Sequence, residues 1–203
     1  MKEITENKKA DRACKSLSAA LRILLKYCCF NEITVRILCT EACVNGSDFY
    51  LYFKDKYELL QYHLAETWES VAADSDDGAS LEGELTRLLC SNEQILVNML
   101  RNANTRTLAC VREFLSSIVD GILNVTDAES PNQTLLCNFF VGGLLSYLAW
   151  VIEQDSPLYL RHLISYLFQM LKAIAVWDAG QAINTSVPHS AENAPPSTDN
   201  LKG

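Results

Sequence analysis

The sequence predicts an all-α protein: an N-terminal three-helix helix-turn-helix domain followed by a C-terminal helical bundle, about nine helices in all. Three observations carry this reading. Helix breakers are scarce, with eight glycines and five prolines in 203 residues. Long stretches repeat apolar residues every three or four positions, the spacing that puts them on one face of a helix. Helix-start signals recur along the chain, several of them a small polar cap followed three residues later by an acid or its amide.

The elements follow in order. Residues 9–29 make a first helix whose apolar face is Leu17, Ala20, Leu21, Leu24, Leu25 and Cys28, and Phe30-Asn31-Glu32 breaks it. Thr34 caps a short second helix, Val35 to Ala42. After the turn Cys43-Val44-Asn45, Asn45 caps a third helix with the acid Asp48 at its third position. The run Phe49-Tyr50-Leu51-Tyr52-Phe53 reads on its own as a strand. A helix is the better reading, because it puts Phe49 and Phe53 on one face and needs no partner strand.

Asp55-Lys56-Tyr57-Glu58 is a second capping box and opens a fourth helix to Val71. A polar loop, 73–79, precedes a fifth helix from Ser80 to Cys90. Ser91 caps a sixth, running to Asn102, and Thr105 to Leu123 makes a seventh. Ser130-Pro131-Asn132-Gln133 starts an eighth helix that ends at Glu153. Ser156-Pro157 starts a ninth, ending near Val176, and the Pro- and Asn-rich residues 178–203 read as a disordered tail. The expected domains are 1–54, 55–177 and that tail.

Charge narrows the function. The net charge is −8, which excludes a surface that binds polyanions indiscriminately. Residues 1–62 nevertheless hold ten Lys and Arg against eight acids, a net of +2 that leaves −10 for the rest. An anion-binding face belongs in the first third of the chain. Leu135 to Ile152 carries no charge over 18 residues. Asn138, the Gly142-Gly143 pair and the lack of basic flanks argue for a helix buried on all sides in a soluble bundle or dimer rather than a membrane span. Residues 1–15 are polar and show no signal peptide, so the expected location is cytoplasmic.

Eight cysteines (14, 28, 29, 39, 43, 90, 110 and 137) form no CxxC pair, and the histidines at 63, 162 and 189 are scattered. Buried thiols in a reducing compartment fit better than a metal site. No phosphate loop and no nucleophile–base pair stands out, so neither an enzyme nor a cofactor is expected.

Two short helices joined by a three-residue turn have helix-turn-helix geometry, with the third helix as reader. Thr34 and the helix start it caps can meet a phosphate. The hydroxyls of Tyr50 and Tyr52 can reach phosphate or a base edge, and Lys54 and Lys56 can neutralise phosphates. The stretch ITVRILCTEACVNGSDFYLYFKDKYELL resembles the DNA-binding signature of the TetR family of bacterial transcriptional regulators. That pattern runs Thr-Val, an apolar pair, Ala-Gly-Val, a polar cap, an aromatic pair ending in Phe, and a Lys before Leu-Leu. The resemblance is close over residues 10–64 and looser beyond. FFVGGLLSYLAWVIEQDSP is similar to the penultimate helix of that family's DhaS-like branch.

The resemblance implies a homodimeric regulator of a palindromic DNA operator, modulated by a small-molecule effector. Thr34 and Lys56 match phosphate-contacting positions, and Tyr50 and Tyr52 match aromatic positions of the recognition helix. Arg36, Asn45, Ser47, Asp48 and Lys54 complete the expected DNA-facing set. Phe30, Val35, Leu38, Ala42, Val44, Phe49, Phe53, Leu59 and Leu60 match its small core. Gly46 and Leu51 stand where Arg or another polar reader is usual, Asp48 replaces Thr, and Ile37 replaces a polar residue. Cys43 stands where a glycine of positive φ is usual. A recognition helix without Arg or Lys leaves an alternative, a relative with degenerate DNA binding that acts as a ligand-binding or protein-partner module.

An effector pocket is expected among helices four to eight, from His63, Trp68, Met99, Arg112, Phe114 and Phe139, with Asn138 and Phe140 nearby. Gly142, Ser146 and Ala149 make a stripe of small residues on the eighth helix, which permits close approach of another helix. Leu163, Leu167 and Leu171 lie in an apolar stripe on the ninth. Two such helices per protomer build a four-helix isologous interface.

Overall fold

The computed structural model describes residues 2–74, 80–124, 133–154, 159–170 and 173. These contain no strand. In order they form α1 (Lys2–Leu24), a 3-10 turn (Phe30–Glu32), α2 (Val35–Glu41), α3 (Gly46–Tyr52), α4 (Lys56–Ala73) and α5 (Leu81–Ser91). Then come α6 (Glu93–Leu100), α7 (Thr105–Asn124), α8 (Gln133–Glu153) and a helix over 160–170, α9. The expected starts at Ser130-Pro131 and Ser156-Pro157, most of the 73–79 loop and the tail 178–203 lie outside the described residues. The chain divides into two compact units, Met1–Phe168 and Gln169–Gly203.

Within the first unit, α1, α2 and α3 close on a small core. Leu17, Leu21, Leu25, Phe30, Ile33, Leu38 and Phe49 are completely buried there, with Leu59 and Leu60 entering from α4. Phe49 and Phe53 share one helix face, their rings 5.8 Å apart, and Phe53 packs edge-on against Tyr62 at 5.6 Å. The helical reading of the aromatic run is therefore correct. Val35, Ala42 and Val44 lie half-buried at the margin of this core.

The remaining helices form one continuous bundle. α4 packs against α1, α5 and α7, α7 packs along α8, and α6 packs against α8 and the 3-10 turn. Leu85, Met99, Leu115, Val119, Leu144 and Leu148 fill its interior. Phe140 of α8 meets Phe168 edge-on at 5.1 Å.

The structure moves two of the expected helix ends and changes one expected cap. α1 stops at Leu24, not 29: Lys26 and Tyr27 donate three residues back, to Ile23 O and Leu24 O. This tightening carries Phe30 into the core. The cap of α6 is Asn92 rather than Ser91, which still belongs to α5. The Asn92 amide donates to Leu88 O, so it satisfies the end of α5 instead of the start of α6. Asn45 is the N-cap of α3 by backbone position, but its side chain makes no capping bond.

The helix expected to be buried on all sides is not, within one chain. Thr134–Glu153 is long and apolar enough to cross a membrane by length and composition, and 44% of its most apolar window is buried. One face packs through Phe140, Val141, Leu144, Leu148 and Val151. The other is open, with Leu135 67%, Phe139 53% and Trp150 56% exposed.

Cys43 has φ 54°, the left-handed conformation that a side chain disfavours. Replacing it by glycine removes that strain. Cys43→Gly should raise the unfolding free energy by about 1 kcal/mol, read as a shifted urea midpoint at constant slope.

Candidate nucleic-acid interface and ligand cavity

The turn between α2 and α3 is a Schellman motif. Ala42 is the C-cap, Cys43 takes the left-handed position, and Val44 N–H donates to Cys39 O at 2.9 Å while Cys43 N–H donates to Thr40 O at 3.3 Å. Both orphan carbonyls are satisfied, so α3 leaves α2 in a fixed direction. At the other end of α2, Thr34 Oγ1 accepts from Ile37 N at 3.3 Å, the cap the sequence predicts.

This geometry sorts the side chains of the head. Phe49 and Phe53 point into the core, and Thr34, Arg36, Asn45, Ser47, Tyr50 and Lys54 are exposed. Asp48 and Tyr52 are half-buried. Tyr50 is 63% and Leu51 74% exposed, and Ile37 stands out at 42%. The outer surface of α3 is thus aromatic, aliphatic and hydroxyl-bearing, without a cation.

Lys56 takes a different place from the one the resemblance implies. Its ammonium donates to Phe30 O at 2.9 Å, Asn31 O at 3.2 Å and Ile33 O at 2.8 Å. It also lies 4.7 Å from the Phe30 ring centre. All three protons are committed inside the protein, and burial holds the ammonium pKa below the ordinary lysine value. Neighbouring groups brace the same corner. Asp55 caps α4 by accepting from Tyr57 N and Glu58 N. It also accepts from Arg106 Nη2 at 2.6 Å. Burial pushes the Asp55 carboxyl up, but the Arg106 and backbone hydrogen bonds outweigh it and hold the pKa below the usual range. Asn104 bonds Tyr57 Oη at 2.7 Å, Asn31 bonds Asn102 O, and buried Asn98 donates to Leu25 O at 2.9 Å. The α6–α7 region is therefore hydrogen-bonded to the head at several points.

Three of the expected pocket residues come together. His63, Met99 and Phe114 line an apolar cavity of about 40 Å³ between α4, α5, α6 and α7. Trp68 is half-buried on α4 and does not line it. Arg112 and Phe139 are exposed, as is Asn138, and Phe140 is buried against Phe168 instead. The reason is phase. The inward residues of α7 are 107, 110, 111, 115, 118 and 119, which leaves 112 outside, and on α8 136, 137, 140, 141 and 144 leave 138 and 139 outside. Leu64, Leu88, Leu96 and Val111 line the cavity without having been singled out from the sequence, where they read only as ordinary apolar periodicity.

His63 was a lone histidine in the sequence, and its side-chain partner lies 45 residues away. Ser18 Oγ sits 2.9 Å from His63 Nδ1 and also donates to Glu66 Oε2. Of the interface residues, Gly142 is half-buried with open space where a Cβ would stand, while Ser146 and Ala149 are exposed. Leu163 is half-buried, and Leu167 is buried, its Cδ2 3.6 Å from where a Cβ at Gly143 of its own chain would stand. Leu171 lies outside the described residues. Cys39, Cys110 and Cys137 are buried thiols whose pKa burial pushes up, whereas Cys43 is exposed.

Burial, and then the nearby Arg22 guanidinium, lower the His63 pKa from 6.5 to about 4. The unfolded chain takes up this proton below pH 6.5 and the folded chain resists it until about pH 4. The contribution of neutral His63 is therefore fully present above pH 6.5 and is lost as pH falls from 6.5 to 4. It amounts to about 3 kcal/mol across that window. Urea unfolding of the wild type and His63→Gln should show the difference between them shrinking by that order between pH 7 and pH 4.

The sequence matches no protein-family model and no curated protein. Solved structures do match. The dihydroxyacetone kinase operon activator DhaS superposes with a TM-score of 0.56 at 17% identity, over 79% of this chain and 94% of that one. A TetR transcriptional regulator from Streptococcus agalactiae 2603V gives 0.56 at 19% identity, over 83% and 98%. The regulator FadR from Bacillus subtilis, in complex with stearoyl-CoA, gives 0.52 at 20% identity, over 77% and 96%. The structural neighbours are consistently TetR-family regulators, and this chain has the fold of the TetR-family transcriptional regulators.

Proposed function

We propose that this protein is a non-enzymatic, cytoplasmic DNA-binding transcriptional regulator, a homodimer whose grip on a palindromic operator responds to a small molecule. The observation that carries the reading is the Schellman turn at Cys43. It anchors α3 by Phe49 and leaves Tyr50 and Leu51 facing outward beside exposed Thr34, Arg36, Ser47 and Lys54. In this reading residues 1–54 are the reading head, 55–177 the regulatory and dimerisation body, and 178–203 a tail.

Phosphate contacts come from the N-terminus of α2 at Thr34, from Arg36, Tyr52 and Lys54, while Lys56 holds the head together. Tyr50 and Leu51 suit apolar contact with thymine methyl groups in the major groove. Asp48 stands at the third position of α3, where a carboxylate favours the helix dipole.

The open face of α8 suits a second copy of this chain. Phe139 and Trp150 flank the small stripe Gly142, Ser146 and Ala149, which leaves room for a partner helix. A twofold pair also supplies two readers for two half-sites. Phe139→Glu with Trp150→Glu should convert a dimeric mass in light scattering to a monomeric one; an unchanged dimer places the interface elsewhere.

Fluorescence anisotropy with DNA from upstream of the protein's own gene, titrated with salt, tests the DNA reading. Two cationic contacts per protomer predict a slope of log K against log salt near −4 for the dimer, on the order of −0.9 per phosphate. Lys54→Ala should reduce its magnitude by about two. Absence of binding at low salt, or a slope near zero, would instead favour a protein partner for the exposed apolar surface of α3.

A further inference from the structure

The cavity between α4 and α7 has one polar corner. Of its lining side chains only His63, Thr67 and Asn92 are polar, and the same three also line an open cleft of about 490 Å³ that includes Ser18, Arg22 and Glu66. The hydrogen bonds at this corner fix what it can offer a ligand. As a carboxylate, Glu66 only accepts, so the Ser18 hydroxyl commits its single proton to Glu66 Oε2. Ser18 Oγ must then accept from His63 Nδ1, which carries the ring proton. His63 Nε2 is left as a bare lone pair.

The rest of the corner points the same way. Thr67 donates its hydroxyl proton to His63 O at 2.7 Å, and Asn92 donates from Nδ2 to Leu88 O at 2.8 Å. Burial, with Arg22 second, keeps the imidazole neutral at pH 7. His63 is only 5% exposed, yet no sealed polar side-chain atom among the described residues lacks a partner. Nε2 makes no hydrogen bond to a described residue, and His63 lines both the cavity and the cleft.

We propose that the cavity takes a small uncharged molecule with an apolar body and one hydrogen-bond donor, a hydroxyl donated to His63 Nε2. This rests on the effector reading and specifies its ligand class. A carboxylate has no proton to give that nitrogen and would enter an apolar chamber uncompensated. The volume, about 40 Å³, is room for about three water-sized positions, which takes about three carbons of a short-chain alcohol whose hydroxyl stays at the polar corner shared with the cleft, and is far too small for a fatty-acyl thioester. Glu66 and Ser18 act as positioning residues that hold the histidine in the accepting tautomer.

The test uses the full chain and four probes of similar size: 1-butanol, methyl propyl ether, butyrate and butylammonium, with binding read by ligand-observed NMR. Butanol should bind about five- to ten-fold more tightly than the ether, the worth of one neutral hydrogen bond, and the two ions should not bind. In Ser18→Ala the butanol preference should shrink, since nothing then selects the tautomer. Independently of any ligand, nitrogen-15 NMR of wild-type His63 should show the proton on Nδ1. A proton on Nε2, equal binding of alcohol and ether, or preferential binding of butyrate overturns the proposal, as does binding of no probe. Operator anisotropy with each bound probe separates the two readings. A probe that binds and shifts operator affinity without needing a donor leaves the effector reading standing, and butanol that binds through His63 without shifting it removes the effector reading alone.

Discussion

The ammonium of Lys56 is the constraint on which the head depends. Phe30 and Ile33 are completely buried, and sending both side chains into the core turns their carbonyls back toward the start of α4. Phe30 O also accepts from Ile33 N–H at 3.2 Å, but a backbone at a helix start cannot supply donors to the Phe30, Asn31 and Ile33 carbonyls from one point. Lysine can, because its three protons radiate from one atom, whereas the planar fork of arginine would not match carbonyls arranged around a centre. Asp55 places Lys56 at the first position of α4 by capping that helix. A capping box, a 3-10 turn and a buried aromatic are in this way one device.

The same corner joins the head to the body. α6 lines the cavity with Ile95, Leu96 and Met99, and between them Asn98 reaches Leu25 O at the end of α1. Just beyond, Asn102, Asn104 and Arg106 bond Asn31, Tyr57 and Asp55. A side chain moved by a cavity occupant therefore lies one helical position from a hydrogen bond to the head. Under the proposed function, this adjacency is what lets a small molecule bias the direction of α3.

Much of this was legible in the sequence. Thr34, Asp55 and Ser80 cap the helices that their types predict, because a cap is a local interaction between a side chain and amides two or three residues on. The spacing of Phe49 and Phe53 settled helix over strand, and the resemblance placed Cys43 where a positive φ is usual. What was not legible depends on distant residues. Nothing near Lys56 in the chain signals that Phe30 O and Ile33 O will surround it, and nothing near His63 signals Ser18. Periodicity marks Phe139 and Arg112 as helical, but their phase relative to the core emerges only when α7 and α8 pack together.

The central claim is that two copies of one head set α3 into successive major grooves on one side of a duplex. Hydroxyl-radical footprinting on a bound upstream fragment tests it most directly. The account predicts two protected patches about 34 Å apart, on the same face of the helix and related by a dyad. A single patch, protection running continuously around the duplex, or no protection at low salt would contradict it.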